Sequence, residues 1–336
     1  MSEVECALLE RAVVNGQSGC AIGVDLGGQS VKLALVDTTG AILIRRQELI
    51  DSTQPADCIC RLMLDQIRAL GRDATATARK PLAVGVIMPG YMDRERTRLI
   101  FAANLPTLSG STLLADLRAG LDLPVTFDAD CNGAAFAEYC FGAGRGVDRL
   151  TVATIGTGIG AGVVAEGRIV RVRHHIGGSL GHVVVDPRGL RCACGGRGCV
   201  ETLASGRALE RQALQAAQSD PNSRLATLLG ERGVLTGKEI AEALREGDAT
   251  AARVVRECGW WLGVALASWA VVHAPRKVLI GGGIAQLGEP LLRAIHEGLQ
   301  EVGQPTLVRD TTVEPASLGP DAGVIGAAAL AVASDA

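Results

Sequence analysis

Hydrophobic and polar positions begin to form a pattern near residue 20. "CAIGVDLGGQSVKLALVD" is an apolar run, a Gly-Gly pair and a second apolar run ending at Asp37, which predicts strand, tight turn and strand. "GAILIRRQEL" reads as a third strand, residues 55–71 as a helix, and "PLAVGVIMPG" as a buried strand stopped by Pro89–Gly90. "LPVTFDAD" is a further strand, and "CNGAAFAEYCFG" a helix opening just after Asp130. The second half starts in the same way. "LTVATIGTGIGAGVVAEGRIVR" alternates strand, glycine turn, strand, turn and strand. Residues 203–275 are largely helical, "KVLIGGGIA" is a late strand with its own glycine turn, and "GPDAGVIGAAALAVA" closes the chain as an alanine-rich helix. Strand–glycine turn–strand thus occurs near 22–37 and again near 150–165, a weak repeat that predicts two related lobes. Strands mixed with helices put both lobes in the α/β class.

The length, 336 residues, fits two lobes better than one core, and 48% hydrophobic residues supply enough apolar surface. With aromatics at 3%, the core must be built from Ala, Val, Leu and Ile. A net charge of −3, with no basic block, argues against nucleic acid as the main partner. The run "CGWWLGVALASWAVVHAP", residues 258–275, is short for a membrane span and is expected to be a buried core helix. Residues 1–19 carry no strong pattern and are expected to form a loose extension or short helix. Glu3, Glu5, Glu10 and Arg11 interrupt any signal-peptide core there, so a cytoplasmic location is expected. Ten cysteines in such a chain do not read as a disulfide framework.

Three glycine turns each follow an apolar strand: "DLGGQS" from Asp25, "GTGIG" at 156–160 and "GGG" at 281–283. A turn without side chains offers backbone N–H groups to an anion such as phosphate, and Asp25 at the strand end is placed to hold Mg²⁺ through water. An ordinary hairpin is the alternative for each turn alone. Three together point to one nucleotide held between two lobes. Asp130 sits where a strand gives way to a helix. It is either a base that accepts a hydroxyl proton during phosphoryl transfer or a helix N-cap. The strongest single signal is "GHVVVDPRGLRCACGGRGCVE". Here His182, Cys192, Cys194 and Cys199 make up a complete tetrahedral zinc set with no position left for water, hence a structural metal. A redox pair or idle thiols are the competing readings.

Taken together, these residues resemble the ROK family of sugar kinases and repressors, over about residues 20 to 330. "VDLGGQSVKLALVD" looks like the family's first phosphate motif and "IGTGIGAGVV" like its second. "GVIMPGYMD" with "AANLP" resembles the stretch leading to the sugar site, "DADCNGAAFAE" the Asn-Asp-Ala-Asn motif, "GHVVVD" with "CACGGRGCVE" the zinc loop, and "VLIGGGIA" with "DAGVIGAAAL" the adenosine end. The resemblance implies a two-lobed actin-like ATPase fold (ribonuclease H-like) with a zinc-bound loop in the second lobe. One lobe would comprise residues 20–129 with 322–336, and the other 130–321 with the zinc loop 182–201. It implies an ATP- and Mg²⁺-dependent sugar kinase, glucokinase-like by default, with structural Zn²⁺ on His182, Cys192, Cys194 and Cys199. Asp130 becomes the base acting on a sugar hydroxyl, usually the 6-hydroxyl. The implied sugar contacts are Gly90, Asn104, Asp130, Ser179, His182 and Glu201. The implied nucleotide contacts are Asp25, Gly27, Gly28, Gln29, Lys32, Thr157, Gly158, Gly281, Gly282 and Gly283. A homo-oligomer, dimer or tetramer, is also implied.

The chain departs from the family pattern at three places. Ser179 stands where a sugar-binding Glu is usual, Ala129 where a sugar-binding Asn precedes the base, and Gln29 where the first phosphate motif has Thr. Each buried hydroxyl left without its partner costs about 1–3 kcal/mol. Three explanations stay open. The substrate is a different sugar, amino sugar or cyclitol; neighbours such as Asp128, His174 and His175 replace the contacts; or the protein is a non-catalytic sugar-binding regulator. A DNA-binding repressor is disfavoured, because only about 20 residues precede the first strand and family repressors carry a helix-turn-helix domain there.

Overall fold

A computed structural model of the chain describes residues 19–76, 79–102, 104–171 and 178–333. The extension 1–18 and the residues His174 and His175 lie outside them. Strand β1 (Cys20–Leu26) is buried along nearly its whole length and pairs antiparallel with β2 (Ser30–Asp37), Leu26 opposite Val31. The turn between them closes with the Gly27 amide donating to the Ser30 carbonyl at 2.9 Å. Strand β3 (Ile42–Leu49) continues antiparallel on β2, while β4 (Pro81–Met88) runs parallel to β1. A short antiparallel pair follows, β5 (Tyr91–Met92) and β6 (Leu99–Phe101), and then β7 (Val125–Ala129) joins β4 in parallel. The first sheet therefore has the order β3-β2-β1-β4-β7.

The second sheet is built from β8 (Arg149–Ile155), β9 (Ile159–Ala165), β10 (Arg168–Ile169), β11 (Lys277–Gly281) and β12 (Thr312–Pro315), in the order β10-β9-β8-β11-β12. Numbered within each sheet, both orders are 3-2-1-4-5. The weak repeat in the sequence thus corresponds to a duplicated sheet topology.

Two compact units are distinguished by their internal contacts: Met1–Asp148 with Gly162–Gly178 and Ser317–Ala336, and Arg149–Ala161 with Ser179–Ala316. In the first, alternation along β1 serves two cores. Ile22, Val24 and Leu26 face a cluster completed by Ile59, Met63, Ile67 and Leu70 of the helix Ala56–Ala76, which runs five residues past the end the pattern predicted. Ala21 faces a second cluster, with Ala134 and Ala137 of the helix Asp130–Phe141 and Val324, Ile325 and Ala328 of the helix Ala322–Ala333. Small residues let that last helix lie close on the sheet. A Cβ on Gly85 of β4 would overlap the Ala327 carbonyl oxygen.

In the second unit the helix Ala249–His273 carries the long apolar run, buried through Cys258, Leu262 and Leu266, and packs on Leu291, Ile295 and Leu299 of the helix Glu289–Val302. It is a core helix, as its pattern predicts. Among the described residues no helix is long and apolar enough to cross a membrane.

Candidate functional site

The metal-ligand set forms locally. His182 ends a short 3-10 turn, Leu180–His182, and the bridges Val184–Cys199 and Arg191–Arg197 fold the loop back on itself. This brings ligand atoms of His182, Cys192, Cys194 and Cys199 within 4.8 Å of one another. A zinc ion about 2.3 Å from two sulfurs at the tetrahedral angle separates them by about 3.8 Å. Cys194 Sγ and Cys199 Sγ are 3.7 Å apart, and Cys192 Sγ is 3.7 Å from His182 Nδ1. The donors therefore fit such an ion, with Nδ1 as the imidazole ligand. The Gly196 amide donates to Cys194 Sγ at 3.4 Å, a bond that favours the thiolate. Burial, followed by the neighbouring thiols, pushes Cys199 up to about 12, whereas at Cys194 the Gly196 N–H and the other two thiols outweigh burial and lower it.

Downstream of this loop, Glu201 opens a one-turn helix, Glu201–Ala204. Its Oε2 accepts the Ile159 amide at 2.8 Å and lies against Gly158, on the glycine turn between β8 and β9. That turn closes with the Gly156 amide on the Gly158 carbonyl at 3.0 Å, and Thr157 at its tip is exposed. The third turn follows β11. Gly282 has φ +84° and its Cα faces the backbone of Ile155, so a side chain is excluded twice over. Gly282 and Gly283 are exposed there, while Gly281 is buried.

In the first unit, Gln29 is exposed at the β1–β2 turn and Lys32 is half-buried on β2. Asn104 lies beside Gly28, its carbonyl oxygen 3.1 Å from where a Gly28 Cβ would stand. Gly90 packs on Phe101 and Ala102, just ahead of Asn104. Asp25, near the end of β1, lies against Gly323 in the first turn of the helix Ala322–Ala333. Burial first, and then the charge of Asp130, push its carboxyl up to about 6, against the pull of Lys32. A divalent cation beside such a carboxylate would replace the missing positive charge.

Asp130 is the first residue of its helix. The N-cap is Ala129, which has no polar side chain, so Asp130 does not occupy the N-cap position that the sequence left open to it. Its Oδ1 accepts the Cys131 amide at 2.7 Å, and Oδ2 accepts no hydrogen bond from another described residue. The side chain is open to solvent, yet protein surrounds it closely enough that desolvation raises its proton affinity, only partly offset by the Cys131 N–H. An accessible carboxylate with one engaged oxygen and a raised proton affinity is suited to taking a proton.

Three residues around Asp130 escaped the sequence reading: Arg96, Arg171 and Glu138. Asp128, 1% exposed, is held by Arg171, and Arg96 Nη1 donates to the Phe127 carbonyl at 3.0 Å. Glu138, fully buried on the same helix as Asp130, accepts four hydrogen bonds from Ala143, Ser317 and Leu318. A charged residue inside the otherwise buried run "CNGAAFAEYC" was the available signal for Glu138. Ser179 sits at the N-terminal end of the 3-10 turn carrying His182.

A family model described as the ROK family matches residues 21–334. A glucokinase from Streptomyces coelicolor is 34% identical over 320 residues, covering 93% of this chain and 98% of its own. The crystal structure of a ROK family glucokinase from Streptomyces griseus, in complex with glucose and AMPPNP, matches with a TM-score of 0.78 at 36% identity, over 93% of this chain and 99% of that one. The Escherichia coli DNA-binding transcriptional dual regulator NagC is 29% identical over 277 residues, 82% of this chain and 66% of its own. The two-sheet α/β fold described above is shared with the glucokinase structure.

Proposed function

The chain belongs to the ROK family, and on that premise we propose that it is an ATP-dependent sugar kinase of the glucokinase type. It would transfer the ATP γ-phosphoryl group to a hexose hydroxyl, the 6-hydroxyl by default. The observation that carries this reading is Asp130: accessible, with one oxygen engaged by Cys131 N–H and a raised proton affinity. As the oxygen–phosphorus bond forms, the hydroxyl proton passes to the carboxylate and ADP leaves with the electrons of the broken bond. ATP arrives with Mg²⁺, for which the Asp25 carboxylate is the candidate protein donor. The nucleotide contacts would be Gly27, Gly28, Gln29, Lys32, Thr157, Gly158 and Gly281–Gly283. The zinc set His182, Cys192, Cys194 and Cys199 would be structural, pinning the loop that leads into Glu201. A reaction that consumes ATP fits a cytoplasmic protein.

One observation favours a sugar other than glucose. Ala129 is 2% exposed and apolar, so the position before the base offers a substrate no hydrogen bond. With Ser179 also shorter than the usual Glu, the sugar contacts left to this chain are Gly90, Asn104, Asp130, His182 and Glu201. A hexose with altered substituents, an amino sugar or a cyclitol would suit them. ADP release from Mg-ATP against glucose, mannose, fructose, allose, their N-acetylamino forms and inositols tests both points. Turnover on one of them supports the kinase and names its substrate. ADP release that no sugar in the panel stimulates argues for a sugar-binding regulator; among the similar proteins, NagC is a DNA-binding transcriptional dual regulator.

A further inference from the structure

Asp128 is two residues before Asp130, yet nothing in the proposed chemistry uses it. Its burial is nearly complete, and both its oxygens are fully occupied. Oδ1 accepts the Ala129 amide at 2.8 Å and the Asn132 side-chain amide at 2.7 Å. Oδ2 accepts Nε of Arg171 at 2.9 Å and also its Nη2. The two Oδ1 donors come from residues on either side of Asp130. Turning the peptide that carries Asp130 would break both bonds. The two Oδ2 donors belong to one planar guanidinium, which stops the Asp128 carboxylate from swinging. Arg171 reaches this position from the segment after β10, with its side chain 28% exposed.

The pairing also sets the charge next to Asp130. Asp130 in turn bears on Asp25 from β1 and on Cys131 of its own helix, raising both, and Arg96 feels the charges of Asp128 and Arg171. From the other side of the strand end, Arg96 holds the Phe127 carbonyl.

We propose that the Asp128–Arg171 ion pair fixes the orientation and the electrostatic setting of the Asp130 carboxylate, which makes Asp128 and Arg171 positioning residues for phosphoryl transfer. This rests on Asp130 as the base. A pair that only held the end of β7 in place would affect stability alone.

The test compares the full-length parent with Arg171→Gln, Asp128→Asn and Arg171→Lys, well below their melting temperatures. The parent's sugar is used for kinetics, and Asp130 is followed by ¹³C carboxyl titration, its signal assigned by its loss in Asp130→Asn. Arg171→Gln and Asp128→Asn should lower kcat by about tenfold or more while KM for Mg-ATP stays within about twofold. Arg171→Lys, which keeps the charge but not the fork, should recover part of the loss. The titration should move in opposite directions. Arg171→Gln leaves Asp128 unpaired and raises the Asp130 midpoint; Asp128→Asn leaves Arg171 unpaired and lowers it. An unmoved titration, or a kcat within about twofold of the parent in both variants, overturns the proposal. A parent that phosphorylates no sugar ends the kinase reading instead, and the titration then decides this one alone.

Discussion

Replacing Glu138 with Gln should destabilise the first unit sharply, although the change is one atom in size. Glu138 is fully buried and its carboxylate takes four donors. Oε1 accepts the amides of Ser317 at 2.8 Å and Leu318 at 2.7 Å; Oε2 accepts the Ala143 amide at 2.9 Å and the Ser317 hydroxyl at 3.0 Å. These bonds tie the end of the helix that begins at Asp130 to the segment leading into the helix Ala322–Ala333. A Gln can keep its carbonyl oxygen toward Ser317 and Leu318. Its NH₂ then faces the Ala143 N–H, a donor against a donor, while the Ser317 hydroxyl can turn round. One bond to a charged acceptor is lost and three are weakened. At about 1.5–3 kcal/mol for a hydrogen bond to a charge, the total cost is about 3–5 kcal/mol. For a unit of this size that lowers Tm by about 6–20 °C. Scanning calorimetry at neutral pH measures it, with Glu138→Ala expected to be at least as damaging. A Glu138→Gln protein melting within about 2 °C of the parent would refute the view that this carboxylate clamps the two segments.

Two further outcomes are expected. Purified protein should carry about one zinc per chain by elemental analysis, and Cys192→Ser or a strong chelator should remove it and speed hydrogen exchange across 182–201; metal-free protein with the same exchange pattern would count against a structural zinc. Asp25→Asn should raise Tm at pH 7.5 and leave it unchanged near about pH 3.5. In the fold the Asp25 carboxyl is raised from 3.8 to about 6, so its charge costs stability above that range and nothing below both values; a Tm difference independent of pH, or of opposite sign, would contradict this.

What could be read from the chain follows from how local each signal is. The β1–β2 hairpin is legible because two apolar runs flank a Gly-Gly turn within 18 residues, Cys20 to Asp37. The His/Cys cluster is legible because three of its members lie within Cys192–Cys199 and the fourth ten residues before. The repeat was visible as two strand–glycine–strand units, but the common order 3-2-1-4-5 depends on β4, β7, β11 and β12, whose partners lie far away in sequence. Strand β12 left little trace: four residues at a sheet edge, one of them proline. The Asp128–Arg171 pair spans 43 positions and the Glu138–Ser317 contact 179, and no periodicity announces a single polar contact at such range. At Asp130 the sequence left a helix cap and a base both open, and in the fold the N-cap position is Ala129.

In the proposed reaction Asp130 takes the proton from a sugar hydroxyl as the γ-phosphoryl group of ATP moves to it. Its most direct test is transfer of label from γ-³²P-ATP to the sugar that gives turnover, in the parent and in Asp130→Asn, with nucleotide binding followed alongside. The parent should give labelled sugar phosphate, and Asp130→Asn should be slower by about 10²–10⁴-fold, with Mg-ATP affinity retained. Labelled product forming in Asp130→Asn at the parent's rate would contradict that role for Asp130.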